Sequence, residues 1–125
     1  MAYKRMVVEI GMGTDLQGAD YTKAAIRALK DALWHNSLTV APALGLPRES
    51  MMVEISIGVA KPELVDTQQV QAVLPYGSST IDVVEGGLDI VSDCGTKTTV
   101  IANAAAVVYL NIAEASGAQA TGEVI

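Results

Sequence analysis

Aromatic residues are scarce in this 125-residue chain: they make up 4% of it, and phenylalanine is absent. Apolar residues nevertheless amount to 50%, so the core must be built from Ala, Val, Ile, Leu and Met. A chain of this length can bury roughly two thirds of its unfolded surface, so it needs no disulfides to fold. We predict a single domain over residues 1–112 and a flexible tail over residues 113–125, where the chain is small, polar and glycine-containing.

Cysteine and histidine occur once each, as Cys94 and His35. A single cysteine excludes an internal disulfide, and without a cluster of His and Cys we expect neither a metal site nor a cofactor. Basic residues are also few: 8 Lys and Arg stand against 14 Asp and Glu, a net charge of −6. Nucleic acids and anionic membranes select a basic surface, so we expect neither as a partner.

Long apolar runs are missing too, since no stretch of about 18 apolar residues could span a membrane. The N-terminus lacks the pattern of a signal peptide, and we therefore expect a cytoplasmic protein. Charged residues are only 18% of the chain, which leaves apolar surface exposed on a subunit of this size, and such patches usually mark interfaces. We predict a homo-oligomer. Trp34 falls on the basic side of a predicted helix, where it either contacts another subunit or folds back over the helix end.

The hydrophobic pattern predicts an α+β fold: a mostly antiparallel sheet with one long and one short helix on one face. A loop is expected over residues 38–50, which contain two prolines and a glycine, and a bulge or tight turn at Gly86-Gly87. The predicted strands are 3–11, 51–59, 80–84, 88–92 and 98–110, and the predicted helices are 21–36 and 62–74.

A glycine-containing loop is expected from Gly11 to Asp20, between the first strand and the long helix. Backbone N–H groups and the helix dipole at such a place can hold an anion. The loop is not a dinucleotide fingerprint, because Leu16 stands where a third glycine is needed, and it is not a P-loop. Asp15 and Asp20 either position a polar ligand or a water, or form an Asx-turn and a helix N-cap. The candidate ligand-binding residues here are Gly11, Gly13, Gln17, Gly18, Lys23 and Arg27.

A second group of candidates comprises Lys61 and the turn residues Ser78 and Ser79. A lysine with a depressed pKa can serve as the base for a nucleophilic serine; the alternative is a surface lysine beside a turn capped by hydroxyls. Lys61, Ser78 and Asp15 are the candidate catalytic residues, and Ser79 is a candidate ligand contact.

The single histidine and the single cysteine are weaker candidates for catalytic residues. A Ser-His-Asp site would need His35, but its place at the end of the long helix also fits a cap that compensates the helix dipole. Cys94 lies between Asp93 and Gly95, and we expect the neighbouring negative charge to raise its thiol pKa and to disfavour a thiolate nucleophile.

A family resemblance is carried by the segments Gly11 to Gly18, Asp20 to Ala25, His35 to Leu38, Pro75 to Gly77, and Val84 to Leu88. They resemble the Lin0512 family of small uncharacterised proteins, and the resemblance runs from about residue 3 to residue 112. The family's hallmark is Gly-x-Gly-x-Asp-x-His-Gly, and Gln17 stands here in place of the histidine. Glutamine keeps a hydrogen-bonding amide but does not titrate. The resemblance therefore implies a non-catalytic paralogue, or a partner of a histidine-bearing subunit.

The layout is also similar to one repeat of the ring-opening amidohydrolases, such as cyanuric acid hydrolase and barbiturase. Those enzymes arrange three related units around a pseudo-threefold axis with Ser/Lys pairs at the centre, and Lys61-Pro62 and Ser78-Ser79 would correspond. This similarity implies a trimer with sites between subunits. Three functions stay open: an oligomeric enzyme that hydrolyses a cyclic amide or imide in an inter-subunit pocket, a non-catalytic ligand-binding or regulatory subunit, and a structural partner.

Overall fold

Five strands form one sheet in the order β1-β5-β2-β3, with β4 paired to β5. The computed structural model describes residues 3–34, 39–75, 77–111 and 113. The strands are β1 Tyr3–Asp15, β2 Met52–Val59, β3 Ser78–Glu85, β4 Leu88–Val91 and β5 Thr98–Asn111, and the helices are α1 Tyr21–Trp34, α2 Val40–Ala43 and α3 Thr67–Gln71.

The longest strand, β5, lies at the centre of the sheet. It is antiparallel to β1 on one side and to β2 and β4 on the other, whereas β3 joins β2 in parallel. A parallel neighbour needs a crossover connection, and the segment containing α3 supplies it. The arrangement confirms the predicted α+β fold.

The core lies between the sheet and α1. In β2, Val53, Ile55, Ile57 and Val59 are buried, as their alternation predicted, and Glu54 and Ser56 face away. The central strand contributes alternate residues, most of them small. The other core residues of β5 and α1 are Val100, Ala102, Ala104, Ala106, Val108, Leu110, Tyr21, Ala24, Ala25, Ala28, Leu29 and Ala32.

The first strand is longer than predicted, since it continues to Asp15 where a loop was expected from Gly11. Gly11 and Gly13 face α1 and lie directly against its backbone atoms. A Cβ on Gly13 would lie 2.5 Å from the carbonyl oxygen of Ala24, and one on Gly11 would lie 2.5 Å from that of Ala28. These two glycines therefore let the strand and helix backbones touch, and the prediction that they lie in a loop was wrong.

Two other segments differ from the prediction. The loop expected over residues 38–50 contains α2 and a 3-10 turn, Arg48–Ser50. The short helix expected over residues 62–74 is divided into a 3-10 turn, Pro62–Leu64, and α3. Asp66 explains the division, because its side chain accepts hydrogen bonds from the backbone N–H groups of Gln68 and Gln69 and so begins a new helix.

The Gly86-Gly87 link carries the chain from β3 past the end of β2, so that β4 pairs with β5. The Gly86 N–H donates to the Val59 carbonyl at 2.8 Å, and Gly87 has a φ of +60°. A Cβ on Gly87 would lie 3.0 Å from the carbonyl oxygen of Gly58. Both the positive φ and the close crossing require glycine.

Some predictions fall outside the described residues: the role of His35 and, apart from Ala113, the tail over residues 113–125. Within the described ranges, the helices are all too short or too polar to cross a bilayer.

Candidate functional site

The β1–α1 loop is organised around Asp15, the last residue of β1. Asp15 is 7% exposed, and its Oδ2 accepts hydrogen bonds from the backbone N–H groups of Gly18 at 3.1 Å and Asp20 at 3.0 Å. A Cβ on Gly18 would lie 2.9 Å from the same oxygen. Gly18 is therefore the residue that lets the chain close around the carboxylate.

The loop then delivers the chain into α1 through Ala19 and Asp20. Asp20 is the N-cap, since its Oδ1 accepts from the backbone N–H of Lys23 at 2.9 Å. Ala19 has a φ of +51° and is the one non-glycine residue in the described part of the chain with a positive value. Such backbone strain is held where the surroundings fix the conformation, here between the Asp15 hydrogen bonds and the helix cap.

Two basic side chains of α1 stand beside this loop, one turn apart. The Nη1 of Arg27 lies 3.6 Å from Oδ1 of Asp15 and donates to the Thr14 carbonyl at 2.7 Å. Lys23 is exposed. The loop and these side chains surround an open cavity of about 470 Å³, which we call the loop pocket; its lining residues are Asp15, Leu16, Gln17, Gly18, Asp20, Lys23 and Arg27.

The loop pocket brings together six residues that the sequence singled out: Asp15, Gln17, Gly18, Asp20, Lys23 and Arg27. Gly11 and Gly13 do not line it, because they are inside β1 and against α1.

The structure separates the predicted Ser/Lys pair. Ser78 pairs with Met52 at the start of β2, whereas Lys61 lies two positions past Val59 at the other end. The nine positions from Met52 to Lys61 correspond to about 30 Å of extended chain. Within one subunit, Lys61 therefore cannot act as the base for Ser78. Ser79 has a structural partner instead, since Gln71 donates to its Oγ at 3.2 Å and to its carbonyl at 3.3 Å.

Sequence reasoning missed a buried polar pair between α1 and β4. The Tyr21 hydroxyl donates to Oδ2 of Asp89, and Oδ1 of Asp89 is buried with no hydrogen-bond partner among the described residues. Burial of the phenol, followed by the Asp89 carboxylate, raises the pKa of Tyr21 to about 12. The available signal was an aspartate inside the apolar strand Leu88–Val91.

Glu9 was also missed. It is 6% exposed and lies on the side of β1 that faces α1, the same side as Gly11 and Gly13. No hydrogen bond or ion pair to its side chain is present among the described residues. The signal was again positional: Glu9 shares the two-residue period of the residues that face α1.

The expectation for Cys94 was wrong. Its sulfur lies 3.4 Å from the Ser92 hydroxyl and 2.8 Å from the Thr96 hydroxyl, and the thiol is exposed. These hydrogen bonds stabilise the thiolate and lower the pKa of Cys94 to about 7. The turn places both hydroxyls against the sulfur. The sequence-based expectation considered only the neighbouring charges and not these hydrogen bonds.

Comparison with known proteins identifies a family and solved structures that resemble this chain. A family model described as a conserved hypothetical protein, Lin0512_fam, matches residues 5–108. A crystal structure from Nostoc punctiforme PCC 73102, titled as an FtsZ-like protein of unknown function, has a TM-score of 0.79 and 37% identity, over 89% of this chain and 98% of that one. No curated protein matches, and neither the family model nor the solved structure is described as an amidohydrolase. With the family model covering most of its length, the chain belongs to the Lin0512 family of conserved hypothetical proteins.

Proposed function

We propose that this chain is a ligand-binding subunit whose site is the loop pocket, and that its ligand is a small molecule bearing a carboxylate or another anionic group. The observation that carries the proposal is a group of side-chain donors in the loop pocket that have no partner among the described residues. The protein itself engages Asp15, through two N–H groups and Arg27, and it engages Oδ1 of Asp20 at the start of α1.

The donors that remain point to an acceptor-rich ligand. Lys23 makes no ion pair and Gln17 makes no side-chain hydrogen bond among the described residues. Arg27 contacts the other described residues through Nη1, while a guanidinium carries five N–H donors. An anion that meets these groups gains charge-assisted hydrogen bonds.

Gln17 favours binding over acid–base catalysis at this place. A primary amide does not change its protonation state near neutral pH, so Gln17 cannot carry out the proton transfer of which the histidine implied by the family resemblance is capable. We therefore predict a non-catalytic paralogue, with a histidine-bearing subunit as its partner.

The enzymatic alternative, an amidohydrolase acting on a cyclic amide or imide, has less support. Lys61 and Ser78 lie at opposite ends of β2 and β3, and Asp15, another candidate base, has its oxygens engaged. We also predict a homo-oligomer, with a trimer as its expected stoichiometry; the binding proposal does not depend on it, because the residues that line the loop pocket all belong to one subunit.

The test is an NMR titration of the protein with succinate, inorganic phosphate and the neutral cyclic imide succinimide. We expect the anions to shift the amide resonances of Gly18 and Lys23, and succinimide to leave them unchanged. Lys23→Gln should weaken binding at least about tenfold, because a hydrogen bond to a charged group is worth about 1.5–3 kcal/mol.

The matched control is Lys30→Gln, which removes an exposed lysine from the same helix outside the loop pocket and should bind as the wild type does. Equal losses in the two lysine variants, or no response of the wild type to either anion, would contradict the proposal. Hydrolysis of succinimide by the wild type would instead support the enzymatic alternative.

A further inference from the structure

We propose that the face of the sheet opposite the helices is an interface between copies of this chain. Among the described residues no helix covers this face, which we call the open face. The proposal is independent of the ligand, and it places the oligomer contact on the sheet rather than at Trp34. The open face is formed by the apolar outward side chains Val8, Ile10, Met12, Ile101, Ala105, Val107, Leu88 and Ile90, and the exposed, uncharged Asn103 lies among them opposite Met12.

These side chains are exposed to an unusual degree for large aliphatic residues. The strands of an antiparallel sheet that faces water normally present polar residues outward. Here five aliphatic side chains are at least half exposed on that side: Val8 at 50%, Ile10 at 70%, Met12 at 56%, Leu88 at 60% and Ile90 at 53%.

Strand pairing makes the open face continuous. Val8 lies opposite Val107 and Ile10 opposite Ala105 on one side of β5, and Leu88 lies opposite Ile101 on the other. The eight positions from Val107 to Thr99 measure about 27 Å along the strand, and three strands span about 10 Å. The patch is therefore on the order of 300 Å², a size that on single subunits is often functional.

The absence of charge on the open face fits a second copy. A contact related by a twofold axis places the same patch on both sides, so any charge near the axis would meet its like. None of the eight side chains is charged, although the chain as a whole carries −6. The open face is therefore a surface on which two acidic chains can approach without opposing like charges.

The neighbouring part of the same sheet face argues against a lipid surface. Over β2 and β3 it turns acidic, with Glu54 and Asp82 beside Ser56 and Thr80 in a groove. These carboxylates would be repelled by an anionic membrane. In a contact between two copies, the apolar halves of the two sheets can pack on each other while these carboxylates stay outside the contact.

The edge of the sheet is less suited to association than its face. On β1, the Met12 N–H donates to Asp31 at 2.9 Å and the Thr14 carbonyl accepts from Arg27 at 2.7 Å. Side chains of α1 thus occupy backbone groups with which an added strand would pair. Packing of one sheet on another, about 10 Å apart, uses the face and leaves these bonds intact.

The test is the mass of the protein by light scattering and sedimentation at about 5–500 µM. The wild type should give a multiple of the 13.0 kDa chain mass. The double variant Ile10→Lys, Leu88→Lys should give a single chain, because lysines would be buried without partners. The control Leu64→Lys changes an equally exposed leucine, 55% exposed, on a helical turn outside the open face, and should assemble as the wild type does.

Two further measurements do not depend on how the variants fold. Dilution of the wild type should shift the methyl resonances of Val8, Ile10 and Leu88 but not those of Leu64. Raising the salt from about 0.05 to 0.5 M should strengthen assembly, because it screens the repulsion between acidic subunits. A 13.0 kDa wild type at every concentration overturns the proposal, as does assembly that survives in a folded double variant; pelleting of a monomer with phosphatidylserine vesicles would assign the face to a membrane.

Discussion

Glycine serves two different purposes in the stretch from Gly11 to Gly18. Gly11 and Gly13 are extended strand residues whose missing side chains admit α1, while Gly18 leaves room for the Asp15 carboxylate. The sequence alone does not distinguish these two roles. Each depends on a contact that forms only in the folded chain, with a helix in one case and with a side chain of the same loop in the other.

Substitution at Gly13 tests the contact between β1 and α1. Gly13→Ala should lower the free energy of unfolding by about 3 kcal/mol, since its Cβ would press on the Ala24 carbonyl and the helix must shift. The measurement is urea unfolding followed by circular dichroism. Gly95→Ala is the control: Gly95 has a φ of +74° but no heavy atom within 4 Å of an added Cβ, so only the backbone cost of about 1 kcal/mol applies.

The Cys94 thiol makes a separate prediction at this scale. Its alkylation by iodoacetamide should follow a pH profile with a midpoint near 7, because the hydroxyls of Ser92 and Thr96 hold its pKa at about 7. The double variant Ser92→Ala, Thr96→Val should move the midpoint upward toward 9, the ordinary value for the thiol. An unchanged midpoint in that variant would show that the hydroxyls do not act on the sulfur.

At the scale of elements, side-chain hydrogen bonds join α1 to the sheet on both sides of its buried face. Its buried face meets β1 and β5, and at its first residue Tyr21 reaches β4 through Asp89. On the other side, Arg27 and Asp31 bind backbone groups at the edge of β1. The helix thus connects β1 to the short strand that pairs only with β5.

The Tyr21–Asp89 tie should make stability depend on pH in alkali. The pKa of Tyr21 is raised from 10.0 to about 12 in the folded state, so folding favours the protonated phenol. This contribution, about 3 kcal/mol, is present below pH 10 and is lost as the pH rises through 12. In urea unfolding, Tyr21→Phe should be less stable than the wild type at pH 8 by about 2 kcal/mol.

Above pH 10 the difference between the wild type and Tyr21→Phe should shrink. Tyr109→Phe is the matched control, because Tyr109 donates to Glu54 at 3.0 Å in an exposed hydrogen bond, and it should change stability little. A gap between the wild type and Tyr21→Phe that stays constant from pH 8 to pH 12 would contradict the role given to the phenol.

At the scale of the whole molecule, the sequence was most informative where structure is local. The alternation in β2, the cap at Asp20 and the unbroken helix-forming run of α1 each follow from neighbouring residues, and the structure contains all three. The length of β1 did not follow, because its last residues are held by β5, about 90 positions away in the chain. The separation of Lys61 from Ser78 likewise depends on the parallel register of β2 and β3, which no local pattern encodes.

The candidate site was predictable to the same extent. Gln17 and Gly18 in the loop and Lys23 and Arg27 on the following helix are close in sequence, so one turn and one helix bring them together. The pairing of Tyr21 with Asp89 joins positions 68 residues apart, and the apolar open face combines three strands. Both depend on which strands are neighbours, and composition indicates only that some apolar surface is left exposed.

The backbone contact between β1 and α1 has a thermodynamic consequence for the loop that joins them. Gly11 and Gly13 fix the helix on the strand, and the Asp15 hydrogen bonds fix the connection between the two. A molecule that binds beside this loop therefore meets a main chain that is already ordered, and it immobilises mainly the ends of Lys23 and Arg27. Most of the conformational entropy that recognition would otherwise remove has been lost during folding, before any ligand arrives.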